Sequence, residues 1–543
     1  MVFLKKWINK PIDNITRAAA IIAVLSVVSR ALGVLRDHIL AGRFGAGSDL
    51  DIYFAAFRIP DFIYSLVVMG ALSAGFIPIF SSLIKKNEKN KDNLKELNEL
   101  VINVFNALLI LIFGLSIIGI IFAAPLTKLL TPGFTEANQA QTVLLTRIMF
   151  LSPLFLGMSG VLGGILQSYK RFFIYSLAPI FYNLGIIFGA VYLTQFFGLA
   201  GLAWGVVLGA FLHFFIQLPA VWHLGFRYSW RLNWRDKSLQ QIAKMMGPRT
   251  MSLAASQINL VAMTVLASGL VAGSLAIFNL ANNLQSFALG VFGISFAVAA
   301  FPFLSENAYN LEALKSRFSS TLRQILFFII PTSVLLLTLR AQIIRIVYGS
   351  GNFNWRDTIL TMDTLGFFVL SLFAQASIPL LVRVFYARRD SWRPFYLGMI
   401  SVVVNVILAF ILRPHLGVAG LALAFSIASI LNFLLLWLVL YQQIGSLDLT
   451  KILKSVIKFS ASAIAAGAMV QVLKLAVWPF IDMTTFWGVF IQLVVAGTGG
   501  AFTYLFFCYL LKSEELDSAM KVLTRRLPWK KAKINSQDEA RGL

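Results

Sequence analysis

Cysteine and acidic residues are both scarce in this 543-residue sequence. Cys508 is the only cysteine and lies inside an apolar run, which excludes a disulfide framework and a thiolate metal site and predicts a small buried hydrophobic residue. Acidic residues number 23, and only 13% of the chain is charged, against about 25% in soluble domains. A soluble globular protein is therefore excluded.

Two further patterns are missing. No stretch alternates polar and apolar residues with the period of a strand, which excludes a membrane β-barrel. No Walker motif for nucleotide phosphates occurs, so the sequence predicts no ATP site. No cofactor and no metal site are expected, and the short hinges leave no room for the extramembrane pocket of an enzyme.

Long apolar runs dominate what is present. The chain is 58% hydrophobic, its mean hydropathy is +0.80, and it contains 48 phenylalanines. Each run approaches the roughly 20 residues that a spanning helix needs. The sequence predicts an all-α integral membrane protein with about fourteen transmembrane helices. They are expected at residues 18–42, 52–84, 99–124, 142–168, 173–196, 199–223, 249–270, 273–303, 321–341, 358–386, 392–412, 417–442, 452–475 and 485–511.

The basic residues that give the net charge of +23 lie mainly in the hinges between these runs. A nucleic-acid-binding protein would collect its bases on one soluble face, whereas alternate hinges are basic here, which is the positive-inside pattern. The N-terminal Lys5, Lys6 and Lys10 precede a first span without a cleavage pattern. Both termini, including a basic tail at 512–543, are expected on the cytoplasmic side.

Three landmarks repeat at a nearly constant spacing of about 220 residues. They pair GLAGLAWGV at Gly198 with GVAGLALAF at Gly417, SYKRF near Tyr169 with FYARR near Tyr386, and IPIFSSL at Ile77 with FPFLSEN at Phe301. The spacing predicts a parallel repeat, as in transporters whose site lies between two rocking halves. A chance likeness of helices rich in small residues is the alternative.

The repeat defines the expected domains. Spans 1–6 form an N-lobe over residues 1–223, and spans 7–12 form a C-lobe over residues 224–442. Spans 13 and 14, over residues 443–511, have no counterpart and are an addition to the two six-helix lobes.

Charged residues interrupt spans 1 and 2 in the stretch SRALGVLRDHILAGRFGAGSDLDIYFAAFRIPD, residues 29–61. A charge at the bilayer centre costs about 2.5–3.5 kcal/mol, so such side chains are expected to face the protein interior or water. Guanidinium forks bind phosphate oxygens, and arginines exceed carboxylates here, which predicts an anionic, phosphorylated head group. Internal Arg36–Asp37 and Arg58–Asp61 salt bridges are the alternative. The predicted binding residues are Arg30, Arg36, Asp37, Asp51 and Arg58.

Span 8 carries amides in place of charges. Asn279, Asn282 and Asn283 lie on one helical face, and no acidic residue occurs between Asp236 and Glu306. Asn282 and Asn283 are predicted to bind substrate by reading sugar or peptide, with interhelical hydrogen bonding as an equal alternative. Because spans 7, 8, 11 and 12 lack carboxylates, a Na⁺ site there is disfavoured.

The motifs S-R-A-L-G-V-L-R-D, F-G-A-G and D-I-Y-F-A-A-F-R-I-P, with LLTPGF, LQSYKRF, MGPRTMSLAASQIN and VYGSGNFN further on, resemble the MurJ/MviN family of lipid II flippases in the MOP exporter superfamily. The resemblance covers nearly the whole chain. It implies two lobes around a cationic cavity, a lipid-tail groove formed by spans 13 and 14, and alternating access. The positions that match the family's functional residues are Arg30, Arg36, Asp37 and Asp51, with Arg58 at a basic position.

The resemblance also implies a role and a location. The expected substrate is lipid II or a related polyprenyl-diphosphate glycolipid, used in peptidoglycan biosynthesis, cell-wall biogenesis and cell shape. The protein is expected to be a monomer in the bacterial cytoplasmic (inner) membrane, with membrane lipids and cell-wall synthesis proteins as partners.

The chain departs from the family at two places. Family members commonly carry an Arg pair and a Glu on span 2, and often an acidic–Arg pair and a Glu on span 8. The positions concerned hold Tyr64, Ser65, Met69, Asn282, Asn283 and Ser286. Charge-pair gating, sodium linkage and the identity of the head group therefore stay open.

One mechanism fits these residues. The diphosphate would enter between spans 1, 2, 7 and 8, the three arginines would replace its water, and Asp37 would orient them. The membrane potential would reset the cavity. The rival functions are a multidrug or oligosaccharide-lipid exporter of the same superfamily, a polyprenyl-phosphate glycosyltransferase, and a non-transporting scaffold for cell-wall enzymes.

Overall fold

The computed structural model describes residues 15–70, 72–87, 94–518 and 520. Over these residues the chain is helical with short connections, and they include no β-strand, so the all-α prediction is confirmed. The predicted basic positions Lys5, Lys6 and Lys10, and residues 521–543 of the predicted tail, lie outside the described residues.

The helices up to residue 223 follow the predicted spans 1–6 closely. Pro60 lies inside α2, and two π-helical segments follow that helix. The elements are α1 Ile15–Phe44, α2 Ser48–Tyr64, π1 Ser65–Met69, π2 Leu72–Phe76, α3 Ile77–Asn87, α4 Leu94–Ile121, α5 Ala123–Leu130, α6 Glu136–Met149, α7 Leu151–Ser168, α8 Phe172–Phe188, π3 Gly189–Leu193, α9 Thr194–Phe197, α10 Ala200–Phe215 and α11 Leu218–His223.

Among the remaining helices, α12 and α21 are capped at their start by a side chain. Asp236 accepts a hydrogen bond from the amide of Leu239 at 2.8 Å, and Thr485 accepts one from Gly488 at 3.1 Å. The elements are α12 Lys237–Ser268, α13 Ser274–Ala288, π4 Leu289–Ile294, α14 Ser295–Glu306, α15 Leu311–Thr338, α16 Arg340–Tyr348, α17 Trp355–Val369, α18 Leu372–Ala387, α19 Trp392–Ile444, α20 Leu449–Val477, the 3₁₀ turn Trp478–Phe480 and α21 Phe486–Leu510.

Nine helices within the described residues are long and apolar enough to cross a membrane. The pair α17 and α18, bent by 46°, makes a tenth candidate. Helix α19 is one of the nine candidates, but its 53 residues are more than twice the roughly 20 that one crossing needs. Gly417 breaks it with φ +56°, so α19 holds predicted spans 11 and 12. The total of fourteen spans stays a prediction.

The repeat recurs in the backbone itself. Gly198 and Gly417 both adopt φ +56°, with ψ of −141° and −135°. Lys170 and Arg389 adopt φ of +57° and +61° at the turns after α7 and α18. Each pair is 219 residues apart, and a positive φ is uncommon for lysine or arginine. Matching turns at one spacing support the duplication.

A π-helical irregularity recurs as well. Ser65–Met69 in span 2 and Leu289–Ile294 in span 8 begin 224 residues apart, the spacing of the IPIFSSL and FPFLSEN motifs. Such bulges are rare and occur often at functional sites. Both lie next to the elements that carry the predicted binding residues.

The first of two compact units lies within residues 1–287, 344–368 and 391–432. Its aromatic core stacks Phe76 on Phe80, with ring centroids 5.2 Å apart. Segment π3, which continues α8, approaches α10 so closely at Gly189 and Gly205 that an added Cβ on either would meet the other's backbone. This unit contains all of the predicted binding residues.

The second unit lies within residues 288–343, 369–390 and 433–543. Helices α20 and α21 pack together around Val470 and Ala496. A buried ion pair between Arg323 and Glu515 fixes the segment that follows α21 against α15.

Candidate functional site

A hydrogen-bonded cluster surrounds Arg36 and Asp37 in the middle of α1. Arg36 donates through Nε and a terminal nitrogen to one Asp37 oxygen at 2.9 and 2.7 Å, and to Asn183 Oδ1 of α8 at 3.1 Å. Asn283 of α13 donates to the other Asp37 oxygen at 2.9 Å. Asp37 is only 4% exposed. These four residues join spans 1, 5 and 8.

Arg58 forms a second link, from span 2 to spans 7 and 8. Its Nε donates to Thr264 Oγ1 at 2.9 Å, and a terminal nitrogen donates to Asn279 Oδ1. In the described part of the chain no carboxylate lies within 4.0 Å of this guanidinium, although Asp61 is three residues away on the same chain. Of the two alternative salt bridges, Arg36–Asp37 therefore forms and Arg58–Asp61 does not.

Asp51 is placed away from both arginines. Its two carboxylate oxygens accept hydrogen bonds from the backbone amides of Gly273 and Ala276, each at 2.7 Å. The first amides of a helix have no partner within the helix, and a negative charge there is favoured by the helix dipole. Asp51, 4% exposed, thus caps α13 from outside and fixes the helix that carries Asn279 and Asn283.

Arg30 and Asn282 join neither link. Arg30 is exposed on α1, and its side chain has no hydrogen-bond partner among the described residues. Asn282 is half-buried and accepts a hydrogen bond from Gln285 of its own helix at 3.0 Å. Their role in substrate binding stays a prediction.

Sequence reasoning missed Asn183 and Thr264. Asn183 is the only amide side chain in Phe172–Phe188, and a lone amide in an apolar helix is a usable sign of an interhelical bond. Thr264 gives no such sign, because a threonine can satisfy its own hydroxyl, as it does on the Leu260 carbonyl at 2.9 Å.

The helix ends near these residues are sealed by glycine-rich loops. The amide of Asn352 donates to Gly42 O at 2.7 Å, and its side chain donates to Arg43 O at 2.6 Å. Gly273 has φ +93°, and a Cβ there would meet the Ala46 carbonyl. Only glycine allows this approach, so the loops at 44–48, 269–273 and 349–354 close one end of the site.

The side chains of α1 and α13 become more exposed with distance from the glycine-rich loops. Along α13, residues 274–281 are buried, Asn282 and Asn283 are half-buried, and Ser286 is exposed. Along α1, Asp37 is buried and Arg30 is exposed. Both helices are therefore buried near the glycine-rich loops and more exposed toward their other end.

Spans 2 and 7 remain in contact beyond the Arg58 link. Gln257 donates to Ser65 Oγ at 2.9 Å, and Thr250 donates to the Leu66 carbonyl at 3.1 Å. These bonds lie beside π1, where the irregular helix frees backbone carbonyls. These contacts hold the segment after α2 against α12.

Amides also meet between spans 7 and 11. Asn405 donates to Asn259 Oδ1 at 2.6 Å, and its own buried Oδ1 has no partner among the described residues. The described residues include no group of three or more His, Cys, Asp or Glu side chains placed to hold a metal ion.

An apolar cavity of about 570 Å³ lies in the second unit. Its walls come from α15, the bend between α17 and α18, the end of α19 and α20, with Leu326, Phe373, Trp437 and Val456 among the lining residues. Predicted span 13 contributes to it, whereas α21, predicted span 14, contributes no lining residue.

A family model described as lipid II flippase MurJ matches residues 40–491. The chain belongs to the MurJ lipid II flippase family. The probable lipid II flippase MurJ of Rhizobium tropici is 30% identical over 427 residues, covering 76% of this chain and 79% of that protein. The corresponding protein of Buchnera aphidicola from Acyrthosiphon pisum is 29% identical over 508 residues, covering 92% and 98%.

Solved structures show the same fold. A lipid II flippase MurJ in an inward closed conformation aligns with TM-score 0.73 at 24% identity, over 90% of this chain and 98% of that one. An inward-facing multidrug resistance MATE family transporter of the MOP superfamily aligns with TM-score 0.63 at 18% identity, over 79% and 99%. The predicted transporter fold is confirmed, and membership of a flippase family places this chain outside the enzymes.

The hydrogen bond from Asn283 to Asp37 predicts that a second negative charge at position 283 destabilises the protein. Asn283→Asp puts a second carboxylate beside Asp37, and we expect a loss of about 1–3 kcal/mol of stability because the bond is replaced by repulsion. Thermal unfolding followed by tryptophan fluorescence in detergent measures it. The exchanged pair Asp37→Asn with Asn283→Asp restores a donor and an acceptor and should recover part of the loss. Losses that simply add in the double variant would contradict the pairing.

Proposed function

We propose that this chain is a lipid II flippase that carries the undecaprenyl-diphosphate head group from the cytoplasmic to the outer leaflet by alternating access. Family membership supports the substrate, since the relatives above are named as lipid II flippases. The observation that carries the proposal is Arg58, a half-buried guanidinium whose partners are the neutral side chains of Thr264 and Asn279.

The diphosphate would bind by exchanging partners with Arg58. A guanidinium binds phosphate oxygens through charge-assisted bonds that are about twice as strong as neutral ones. Phosphate would therefore displace Asn279 and Thr264 from Arg58. Arg36 would contribute the second fork, held in orientation by Asp37 and Asn183. Arg30, exposed toward the other end of α1, would meet the head group first.

This exchange couples binding to opening. Arg58–Asn279 and Asp37–Asn283 each tie a helix of the first half of the chain to span 8. A ligand shifts a conformational equilibrium only through its differential affinity for the two states. A diphosphate that takes Arg58 from Asn279 removes one of these ties, so the loaded protein would open its sealed end more readily than the empty one.

The sealed end would face outward. The glycine-rich loops carry few bases, in contrast to the hinges at the other ends of the helices. The protein would lie in the cytoplasmic (inner) membrane as a monomer with both termini in the cytoplasm, and cell-wall synthesis proteins would be its partners. The two lobes at 1–223 and 224–442 would rock against each other.

The apolar cavity would hold part of the polyprenyl tail. It is lined by aliphatic and aromatic side chains of α15, α17, α18, α19 and α20. The predicted addition at 443–511 would serve this role through span 13.

The membrane potential would drive the cycle. Span 8 carries neutral amides where the family commonly has ionic partners, so it adds no charge to the site. The bound diphosphate would therefore change the net charge of the site between the empty and the loaded state. Each elementary charge moved through the field is worth about 2.3 kcal/mol per 100 mV.

Reconstituted liposomes test the function directly. Purified protein is placed in liposomes with lipid II that carries a fluorophore on its peptide, and a membrane-impermeant quencher reports head groups in the outer leaflet. We expect rapid equilibration that a valinomycin-set potassium potential biases. A cationic drug enclosed in parallel liposomes should stay inside. Drug efflux without lipid II movement would replace the proposal by a multidrug exporter.

A further inference from the structure

A basic and aromatic strap connects α11 to α12. It runs over residues 226–235, and its exposed side chains are Arg227, Tyr228, Trp230, Arg231, Trp234 and Arg235. Trp230 is 69% exposed and Trp234 is 60% exposed. Tryptophan is enriched where membrane proteins meet the lipid head groups, so two exposed rings on one short segment favour an interfacial position.

Three asparagines of α4 hold the backbone of the strap. Asn98 exchanges hydrogen bonds with the backbone of Arg227 in both directions, at 3.3 and 3.1 Å. Asn106 donates to the carbonyls of Ser229 and Arg231 at 3.1 and 2.8 Å. Asn103 accepts from the amide of residue 233 at 3.0 Å. The strap is therefore fixed in position, although it has no regular secondary structure.

These bonds place the tip of the strap at a definite height along α4. Asn98 and Asn106 are eight residues apart, which is about 12 Å along a helix. Among the side chains of α4 whose exposure the structure describes, Ile110 is the first large apolar one that is exposed, at 39%, and Leu111 and Phe113 follow at 42% and 53%. The tip, at residues 229–231, thus lies about one helical turn before these exposed apolar side chains. A segment just beyond the apolar surface of a spanning helix is expected at the head-group level.

The charges of the strap have no ionic partner within the described residues. None of Arg227, Arg231 and Arg235 forms an ion pair there. Asp236, the nearest carboxylate in sequence, accepts a hydrogen bond from the amide of Leu239 at the start of α12. The strap thus presents three exposed guanidinium groups among its aromatic rings.

We propose that the strap binds the phosphates of acidic phospholipids in the adjoining leaflet and anchors α4 and α12 to that surface. Trp230 and Trp234 would insert between head groups, as interfacial tryptophans do, while the arginines hold phosphate oxygens. This site is separate from the head-group site and does not depend on the proposed transport function.

Native mass spectrometry of the full chain tests the site. Protein in detergent is titrated with phosphatidylglycerol or with phosphatidylcholine, and the bound lipids are counted. One arginine near an anionic surface contributes about 1 kcal/mol, so Arg227→Gln with Arg231→Gln should lower phosphatidylglycerol affinity about 25-fold and leave phosphatidylcholine binding unchanged. Wild-type phosphatidylglycerol binding by this variant would overturn the site.

Position is tested separately from charge. Asn106→Ala keeps every arginine but releases the tip, and we expect at least a fivefold loss of phosphatidylglycerol affinity. Asn103→Ala is the second variant should Asn106→Ala unfold. Unchanged affinity in a folded asparagine variant would overturn a built site and leave only diffuse charge. Trp355→Phe with Arg356→Gln, an exposed pair outside the strap, is the matched control and should bind as wild type.

Discussion

Arg58→Gln is expected to lower the affinity for lipid II about 10- to 150-fold and to abolish complementation of a flippase-depleted bacterium. Glutamine is shorter than arginine, but its amide nitrogen takes the position of Arg58 Nε and can still donate to Thr264, so the helices should stay together. The lost quantity is the charge-assisted bonding to the diphosphate, worth about 1.5–3 kcal/mol. Affinity is measured by native mass spectrometry with lipid II, and membrane levels are checked in the complementation strain.

Two controls separate charge from geometry. Arg58→Lys keeps the charge but loses the planar fork, and its affinity should fall between wild type and the glutamine variant. Arg413→Gln removes an arginine of the same unit that stacks on Phe410 at 4.9 Å, and lipid II affinity should not change. Wild-type affinity in a folded Arg58→Gln protein would refute the proposed diphosphate site.

Asp51→Asn is expected to loosen the sealed end of the site. A neutral amide offers one oxygen in place of two and carries no charge for the helix dipole, so one of the amides of Gly273 and Ala276 loses its acceptor. A helix cap is worth about 0.5–2 kcal/mol. Opening at the start of α13 should therefore become about tenfold more frequent, and flipping should fall because the empty protein no longer holds one state.

Cysteine labelling measures that opening. The native Cys508 is buried, and its replacement by serine gives a background in which Ser274→Cys, at the first turn of α13, is the single thiol. A membrane-impermeant maleimide should react about tenfold faster when Asp51→Asn is added. Asp49→Asn, an exposed carboxylate in the same first turn of α2, should leave the rate unchanged. Equal rates for all three proteins would show that Asp51 does not maintain the seal.

The helices could be predicted from the local sequence more completely than the site. Apolar runs of spanning length cannot remain exposed to water, so composition alone predicted α4, α21 and the pair α10 and α11 close to their observed bounds. Gly198 and Gly417 were identifiable as equivalent positions, and their backbone angles match. Span 2 was less predictable, because the π segment after Tyr64 takes its partners from side chains of span 7, where the Thr250 hydroxyl donates to the Leu66 carbonyl.

The site shows where prediction from sequence stops. The cost of burying charge identified Arg36, Asp37, Asp51 and Arg58 as residues that need polar partners, and all four have them. Which partner each takes was not determined. Arg36 pairs with its chain neighbour, whereas Arg58 reaches Asn279, 221 residues away, and the Asp51 carboxylate reaches Gly273, 222 residues away.

The sequence by itself determined that this protein spans a membrane as helices and that a few charges must be buried among them, because desolvation depends on residue type. The tertiary structure decided which charges are compensated by carboxylates, which by amides and which by helix ends. The partner of each charge depends on how helices distant in the chain pack together. Sequence periodicity predicts which face of a helix a residue lies on, but not which atoms lie within 3 Å of one another. The packing of the helices is what leaves Arg58 with neutral partners and makes Asp51 a helix cap.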